Sequence, residues 1–261
     1  MSSKILARPL EAKASDGGKG AIRSSCSDES SNQWKMKMDR LKLHDAADDS
    51  AEPPGDSIHG LPLEYRTPEE WSSVALAQID LLLSDHAHCE QKAASAGLSI
   101  IAKCPDDEVV VTRMIALAQE ELHHFRQVHR LILERRGSLG APRADRYVKH
   151  LRAGGFQRSG GLGSRVDLLL INGLIEARSC ERFRLLAAGL SYGDGDLDPG
   201  DRSRLATFYV RLAAAEGRHW ELFYELACRF ASAGRVRQRL ESLSRLEAEI
   251  VADLPLEPRM H

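Results

Sequence analysis

The chain lacks the cysteine pattern of a disulfide framework or a zinc knuckle. Its five cysteines, Cys26, Cys89, Cys104, Cys180 and Cys228, are widely scattered, and no CxxC pair occurs. A reducing compartment suits such a set. No apolar run approaches the roughly 20 residues that a bilayer-spanning helix needs. The first stretch, "MSSKILARPLEAKASDGGKGAIRSS", lacks the continuous apolar core of a secretory signal, and Glu11 and Asp16 argue against a transit peptide. A cytoplasmic protein with no membrane partner is the expectation. The formal net charge of -2 excludes a chain that is polybasic throughout, so any nucleic-acid affinity has to come from local clusters. Period-two alternation with β-branched residues is also missing, which excludes an extensive sheet.

What is present is helical periodicity. Residues 1–57 are rich in Ser, Asp, Lys and Gly and close on "DDSAEPPGDS". They offer too little apolar surface to offset ordering entropy, so a disordered extension is expected there, with the folded domain over 58–261. Thr67, Pro68 and Glu70 form a helix-start signal: cap, first-turn proline, first-turn acid. One long helix is expected over 68–97 and a second, opened by "CPDDE", over 105–136, stopping at Gly137. A basic connection follows, with a short helix near 143–153. A third long helix spans 164–189 and a fourth 199–232. The amphipathic "RVRQRLESLSRLEAEIVADL" supplies a further helix, with Leu240, Leu243, Leu246 and Ile250 on its apolar side to cover the bundle. Four long helices in two antiparallel pairs with a longer crossover between them is the layout of a ferritin-like four-helix bundle, all-α, here with an additional C-terminal helix.

Two stretches sit badly in a plain bundle core: "QEELHHF" at 119–125 and "AEGRHWELF" at 215–223. At about 100° per residue, Met114, Leu117, Ala118, Phe125, Val128 and Ile132 define one apolar stripe. Glu121 falls inside it and His124 on its edge, whereas Glu120 and His123 turn outward. Glu216 and His219 lie inside the stripe of Leu212, Phe223, Leu226, Ala227 and Phe230. Residues three apart share a helix face, so each pair can reach one point. Glu90 follows the line of Leu83, His86, Ala93, Ala94 and Gly97. Glu176 lies beside Asn172, Ile175, Ser179 and Phe183, while Glu181 points nearly the opposite way.

The inventory is one Glu, one Glu-x-x-His, one Glu and one Glu-x-x-His on successive long helices. That is the donor set of dinuclear iron or manganese carboxylate bundles. Four buried carboxylates repel one another and resist desolvation; two divalent cations neutralise them. A single Glu-x-x-His is ordinarily a solvated surface pair, and it is the coincidence of all six residues that points to metal. Nitrogen and oxygen donors suit two iron ions, with manganese fitting the same set.

The stretches "LLLSDHAHCEQKAAS", "AQEELHHFRQVHRLILERRG", "LIEARSCERFRLLA" and "EGRHWELFYELA" resemble the tRNA 2-methylthio-N6-isopentenyladenosine hydroxylases, the MiaE family, over about residues 60–255. The long polar N-terminal segment and the "SYGDGDLDPGD" loop depart from that pattern. The resemblance implies a non-haem di-iron monooxygenase acting on the isopentenyl side chain of the modified adenosine at tRNA position 37. Carried over by position, Glu90, Glu121, His124, Glu176, Glu216 and His219 would be both the iron ligands and the catalytic set. The implied partners are the tRNA anticodon stem-loop, O2 and an external electron-donor protein, since no G-x-G-x-x-G fingerprint is evident. Iron oxidation and storage, peroxide handling or quinone hydroxylation are the alternative uses of such a bundle.

For tRNA contact the sequence offers Arg143, Arg146, Lys149, Arg152 and Arg158, with Arg165 further on, against the single acid Asp145. Tyr147 and Phe156 are interleaved and could stack on splayed bases. A solvated crossover gives the same pattern. Of the remaining polar residues near the site, His86 reads as core packing or as support for Glu90, and Arg178 as a partner for a ligand carboxylate. Cys89, Cys180, Trp71 and Trp220 read as packing.

Overall fold

The computed structural model describes residues 60–157, 163–192 and 197–261, which form seven helices and no strand. The expected extension over 1–57, Arg158 and most of the "SYGDGDLDPGD" loop lie outside the described residues.

Four long helices make the bundle: α2 (Ile79–Lys103), α3 (Glu108–Glu134), α5 (Ser164–Tyr192) and α6 (Pro199–Cys228). The short link at 104–107 turns the chain back, so α2 and α3 pack along each other; α5 and α6 form the second pair. The crossover between the pairs carries α4 (Arg146–Gln157). Outside the bundle, α1 (Glu70–Leu76) rests on α5, and α7 (Ala233–Ala252) on α4, α5 and α6. The additional C-terminal helix is therefore present.

Local chemistry accounts for two of the helix starts. The Asp107 carboxylate accepts from the amides of Val109 and Val110, so the "CPDDE" signal acts as a cap. Asp198 does the same for Gly200 and Asp201, with Pro199 at the first helical position. α3 stops as expected near Gly137, but the left-handed residue is Arg136, with φ of 59°.

The single helix expected over 68–97 is two helices. Gln78, with φ of -130°, breaks the run between α1 and α2. Tertiary contact explains the bend. The missing side chain of Gly189 on α5 lets Leu76 come so close that a Cβ there would lie 3.0 Å from it. Trp71 is buried, stacks under the Arg182 guanidinium and donates to the Glu257 carbonyl at 3.1 Å. No periodicity within 68–97 encodes these partners.

Thr67 is not the cap either. The residue preceding α1 is Glu69, which makes no side-chain cap bond. Instead the Thr67 amide and hydroxyl both donate to Glu181, at 3.0 and 2.7 Å. This anchors the start of the domain to the middle of α5.

α5 is buried on nearly all sides, because α6 covers one face while α1, α4 and α7 cover others. Its two glutamates serve different surroundings. Glu176 faces the bundle interior. Glu181 joins a buried ion cluster with Arg178, whose guanidinium also donates to both oxygens of Glu247 on α7, each at 2.8 Å. Tyr65 contributes its carbonyl at 2.9 Å, and the Tyr147 hydroxyl donates to Glu247 at 3.1 Å. The expectation that Arg178 serves a metal-facing carboxylate is thus corrected: two residues beyond Glu176, it leaves the helix on another side.

Candidate metal centre

The six residues picked from the two Glu-x-x-His stretches and the two lone glutamates meet in the bundle interior, each at most 6% exposed. α2 brings Glu90, α3 brings Glu121 and His124, α5 brings Glu176, and α6 brings Glu216 and His219. Their side chains form two overlapping quartets. Glu90, Glu121, His124 and Glu216 make one; Glu121, Glu176, Glu216 and His219 make the other. Within each quartet the ligand-type atoms lie within 4.8 Å of one another. Glu121 and Glu216 belong to both, so they sit where bridging carboxylates between two ions would sit.

Distances fix the orientation of the rings. His219 Nδ1 lies 2.8 Å from Glu121 Oε1 and 3.1 Å from Glu216 Oε2. His124 Nδ1 lies 3.4 Å from Glu121, 3.7 Å from Glu216 and 3.8 Å from Glu90. Both imidazoles therefore aim Nδ1 at the carboxylates.

The electrostatics are those of a cation cradle. Burial lifts the Glu90 carboxyl to about 8, and drives Glu176 well above and Glu216 above the usual carboxylate range, with neighbouring carboxylates adding to the rise at Glu176 and Glu216. Burial also pushes Glu121 upward, but the close approach of the His124 and His219 rings outweighs that and holds it low. Burial opposes the charge on His124, yet Glu121 and Glu90 raise that ring to about 10. Both Glu121 oxygens, Glu216 Oε1 and His124 Nδ1 are buried without a hydrogen-bond partner. Such orphaned polar atoms are rare in protein interiors, and divalent cations satisfy them. The residues fit a metal pair.

His86 proves to be more than packing. It is fully buried against Phe183 and Tyr209, and its Nε2 lies 2.6 Å from Glu90 Oε1. Burial lowers its pKa to about 3, so the ring is neutral and steadies Glu90 by hydrogen bonding rather than by charge. Glu120 turns outward as the helical stripe requires, but its carboxylate reaches back to His219 Nε2 at 3.3 Å. His219 in turn holds that carboxyl down to about 2.

A cavity of about 410 Å³ opens beside the cluster. Glu90, Glu176 and Glu216 line it together with the apolar Leu168, Ile175 and Phe183, and its wall extends to Phe156, Arg152, Lys92 and Lys103. One wall element has no signal in the sequence. The segment ending at His261 folds back onto the bundle, where the Met260 amide donates to Asp85 at 2.8 Å and Arg182 donates to the Met260 carbonyl at 2.7 Å. His261 contacts the Ser179 hydroxyl at 3.0 Å and stacks on Tyr147. Cys89, Asp145 and His261 also bring ligand-type atoms together there. Asp145 is already engaged by the Lys92 ammonium at 3.2 Å, so this group reads as a hydrogen-bonded wall.

The basic crossover divides. Arg143, Arg146, Lys149 and Arg152 are exposed, and Arg152 donates to Asn172 at 3.4 Å on the cavity wall. Arg165 is engaged by Asp106 at 2.7 Å. Tyr147 is buried with its hydroxyl on Glu247, so it cannot stack on a base; Phe156, 39% exposed, can. No helix among the described residues is long and apolar enough to cross a membrane.

Comparison with known proteins bears on the same residues. The sequence model of the family described as tRNA-(MS[2]IO[6]A)-hydroxylase (MiaE) matches residues 58–261. A tRNA 2-(methylsulfanyl)-N(6)-isopentenyladenosine(37) hydroxylase of Pseudomonas putida is 35% identical over 195 residues, covering 75% of this chain and 89% of the relative. The enzyme of that name from Salmonella typhimurium is 28% identical over 248 residues, covering 76% and 87%. Among solved structures, a Synechococcus protein with aldehyde deformylating oxygenase activity superposes with a TM-score of 0.65 at 33% identity, covering 76% of this chain and 94% of that one.

Proposed function

The chain belongs to the MiaE family of tRNA hydroxylases, and we propose that it is a cytoplasmic enzyme that hydroxylates the isopentenyl group of 2-methylthio-N6-isopentenyladenosine at position 37 of tRNA. The observation that carries the reading is the pair of buried quartets sharing Glu121 and Glu216 beside a cavity with both apolar and cationic walls. Glu90 and His124 would hold one ion, Glu176 and His219 the other, with Glu121 and Glu216 between them. Nitrogen and oxygen donors without thiolate favour iron. When bound, a redox-active pair of this kind supplies the activation of O2, with electrons from a separate donor protein.

The protein's own side chains do the rest. Leu168, Ile175 and Phe183 give an allylic side chain an apolar path toward the carboxylates and keep bulk water from it. His86 holds Glu90 in place from behind. Around the cavity Arg152, Lys92 and Lys103 supply positive charge for phosphates, and exposed Phe156 offers a face for a purine. Arg143, Arg146 and Lys149 extend the basic surface.

In cells lacking the gene, nucleoside analysis of bulk tRNA should find the hydroxylated isopentenyl nucleoside gone and its unhydroxylated precursor accumulated. An unchanged nucleoside profile rejects the assignment. The likeness to the Synechococcus protein supports a second reading, oxygen-dependent deformylation of aldehydes. Assaying purified, iron-loaded protein on precursor tRNA and on a long-chain aldehyde separates the two.

Reversing Arg146 and Arg152 to Glu together should weaken tRNA binding. The slope of log affinity against log salt should fall by roughly one unit for each phosphate that is no longer neutralised. Equal affinity at low salt removes this surface from the interface.

A further inference from the structure

We infer that Glu120, the first acid of "EELHH", is a positioning residue that aims both histidines of the metal centre from outside the bundle. This rests on the metal-centre reading above. The two imidazoles lie 5.9 Å apart between ring centroids, and each turns Nδ1 inward to the buried carboxylates. That leaves two Nε2 atoms facing out, and one carboxylate stands behind both. Glu120 Oε2 is 3.3 Å from His219 Nε2, and Glu120 Oε1 is 4.0 Å from His124 Nε2. The first separation is a close ionic contact and the second is within electrostatic reach. His219 Nε2 makes no aligned hydrogen bond, so Glu120 faces it through charge, with the nitrogen otherwise buried and unsatisfied.

Glu120 is itself held. Arg218 on α6 reaches across to Glu120 Oε1 at 3.2 Å and is fixed in turn by donating to the Ala214 carbonyl at 3.0 Å. The chain of contacts thus runs from the α6 backbone through Arg218 and Glu120 to rings on both α3 and α6.

The physical consequence concerns tautomers. An imidazole binds a cation through a nitrogen lone pair, so the proton of the neutral ring must reside on the other nitrogen. A carboxylate facing Nε2 draws the proton there and leaves Nδ1 free to ligate, while making the ring a stronger donor. Usually one such partner serves one histidine. Here a single half-exposed side chain addresses two, one from each Glu-x-x-His pair, so its loss would slacken both ion positions together.

The test uses Co2+ as the probe, titrated into metal-free full-length protein and followed by its visible ligand-field bands. Glu120→Gln and Glu120→Ala should each keep a stoichiometry of two, bind Co2+ about 10–100-fold more weakly, and shift the bands, because ring orientation alters the ligand field. Glu120→Asp should recover part of the affinity, which a merely structural role does not anticipate. Far-UV circular dichroism should be unchanged, since the residue is half-exposed. Affinity and bands identical to wild type in both Glu120→Gln and Glu120→Ala overturn the assignment with the metal centre intact. Wild-type protein that takes up no Co2+ removes the centre itself, and this role with it.

Discussion

Replacing Glu121 with alanine is expected to empty both metal positions and to lower hydroxylation by at least about 1,000-fold. Glu121 is completely buried, touches both histidines and is shared by the two quartets, as Glu216 is. Removing it leaves each ion with three protein donors and takes away one of the two anions that both positions share. Each binding step then weakens, and the second suffers most because Glu216 alone is left to serve both positions. Residues that act as one unit do not contribute additively to rate, so the loss should approach that of removing the whole centre. Glu176→Ala makes the contrast. Glu176 belongs to one quartet only, so this variant should retain about one ion per chain. Metal content by plasma emission and single-turnover hydroxylation read both effects. Two ions still bound in Glu121→Ala would mean that the bridging position lies elsewhere.

The second large effect lies away from the candidate metal centre. Arg178→Met should destabilise the protein by about 3–5 kcal/mol, the usual consequence of stranding a buried charge by deleting its partner. For a domain of this size that corresponds to a fall of roughly 6–20 °C in Tm. Arg178 is 0% exposed and is clasped by Glu247, also 0% exposed, and by Glu181 at 5%. With the guanidinium gone, both carboxylates lack their counter-charge, and Thr67 and Tyr147 alone remain to hydrogen-bond them. The triple variant Arg178→Met, Glu181→Leu, Glu247→Leu should regain much of the loss, because an apolar cluster of similar volume needs no counter-charge. Metal stoichiometry should stay at two in any of these variants that folds, since Arg178 leaves α5 away from Glu176. Urea denaturation of the metal-free protein gives the stability directly. A loss below about 1 kcal/mol in Arg178→Met would mean that water reaches the cluster and screens it.

The six residues that cluster in the bundle interior were legible in the sequence because helical geometry is local. Each Glu-x-x-His pair occupies one face over three residues, and the apolar stripe around it says which face turns inward. The same arithmetic separates Glu121 from Glu120 and Glu176 from Glu181. It does not say what an outward-facing group touches next. Glu120 reaches His219 because α3 and α6 lie side by side, and Arg178 finds Glu247 across 69 positions of sequence. Thr67 satisfies every local rule for a helix cap, yet Glu181, 114 positions away, takes its amide and hydroxyl. The bend at Gln78 is hidden for the same reason: both halves of 68–97 are good helix, and the partners of the first half, Gly189 and Arg182 among them, lie on another helix. Tyr147 looks like a base-stacking residue because it sits among arginines, but it shares the buried side of its helix with Leu151, one turn on.

The folded-back segment at His261 has a practical corollary. An affinity tag placed directly behind that histidine would begin from a residue only 9% exposed, wedged between Tyr147 and Ser179 and beside the cavity. Protein purified through such a handle would carry a displaced cavity wall into every assay. Recombinant work should keep any handle away from this residue.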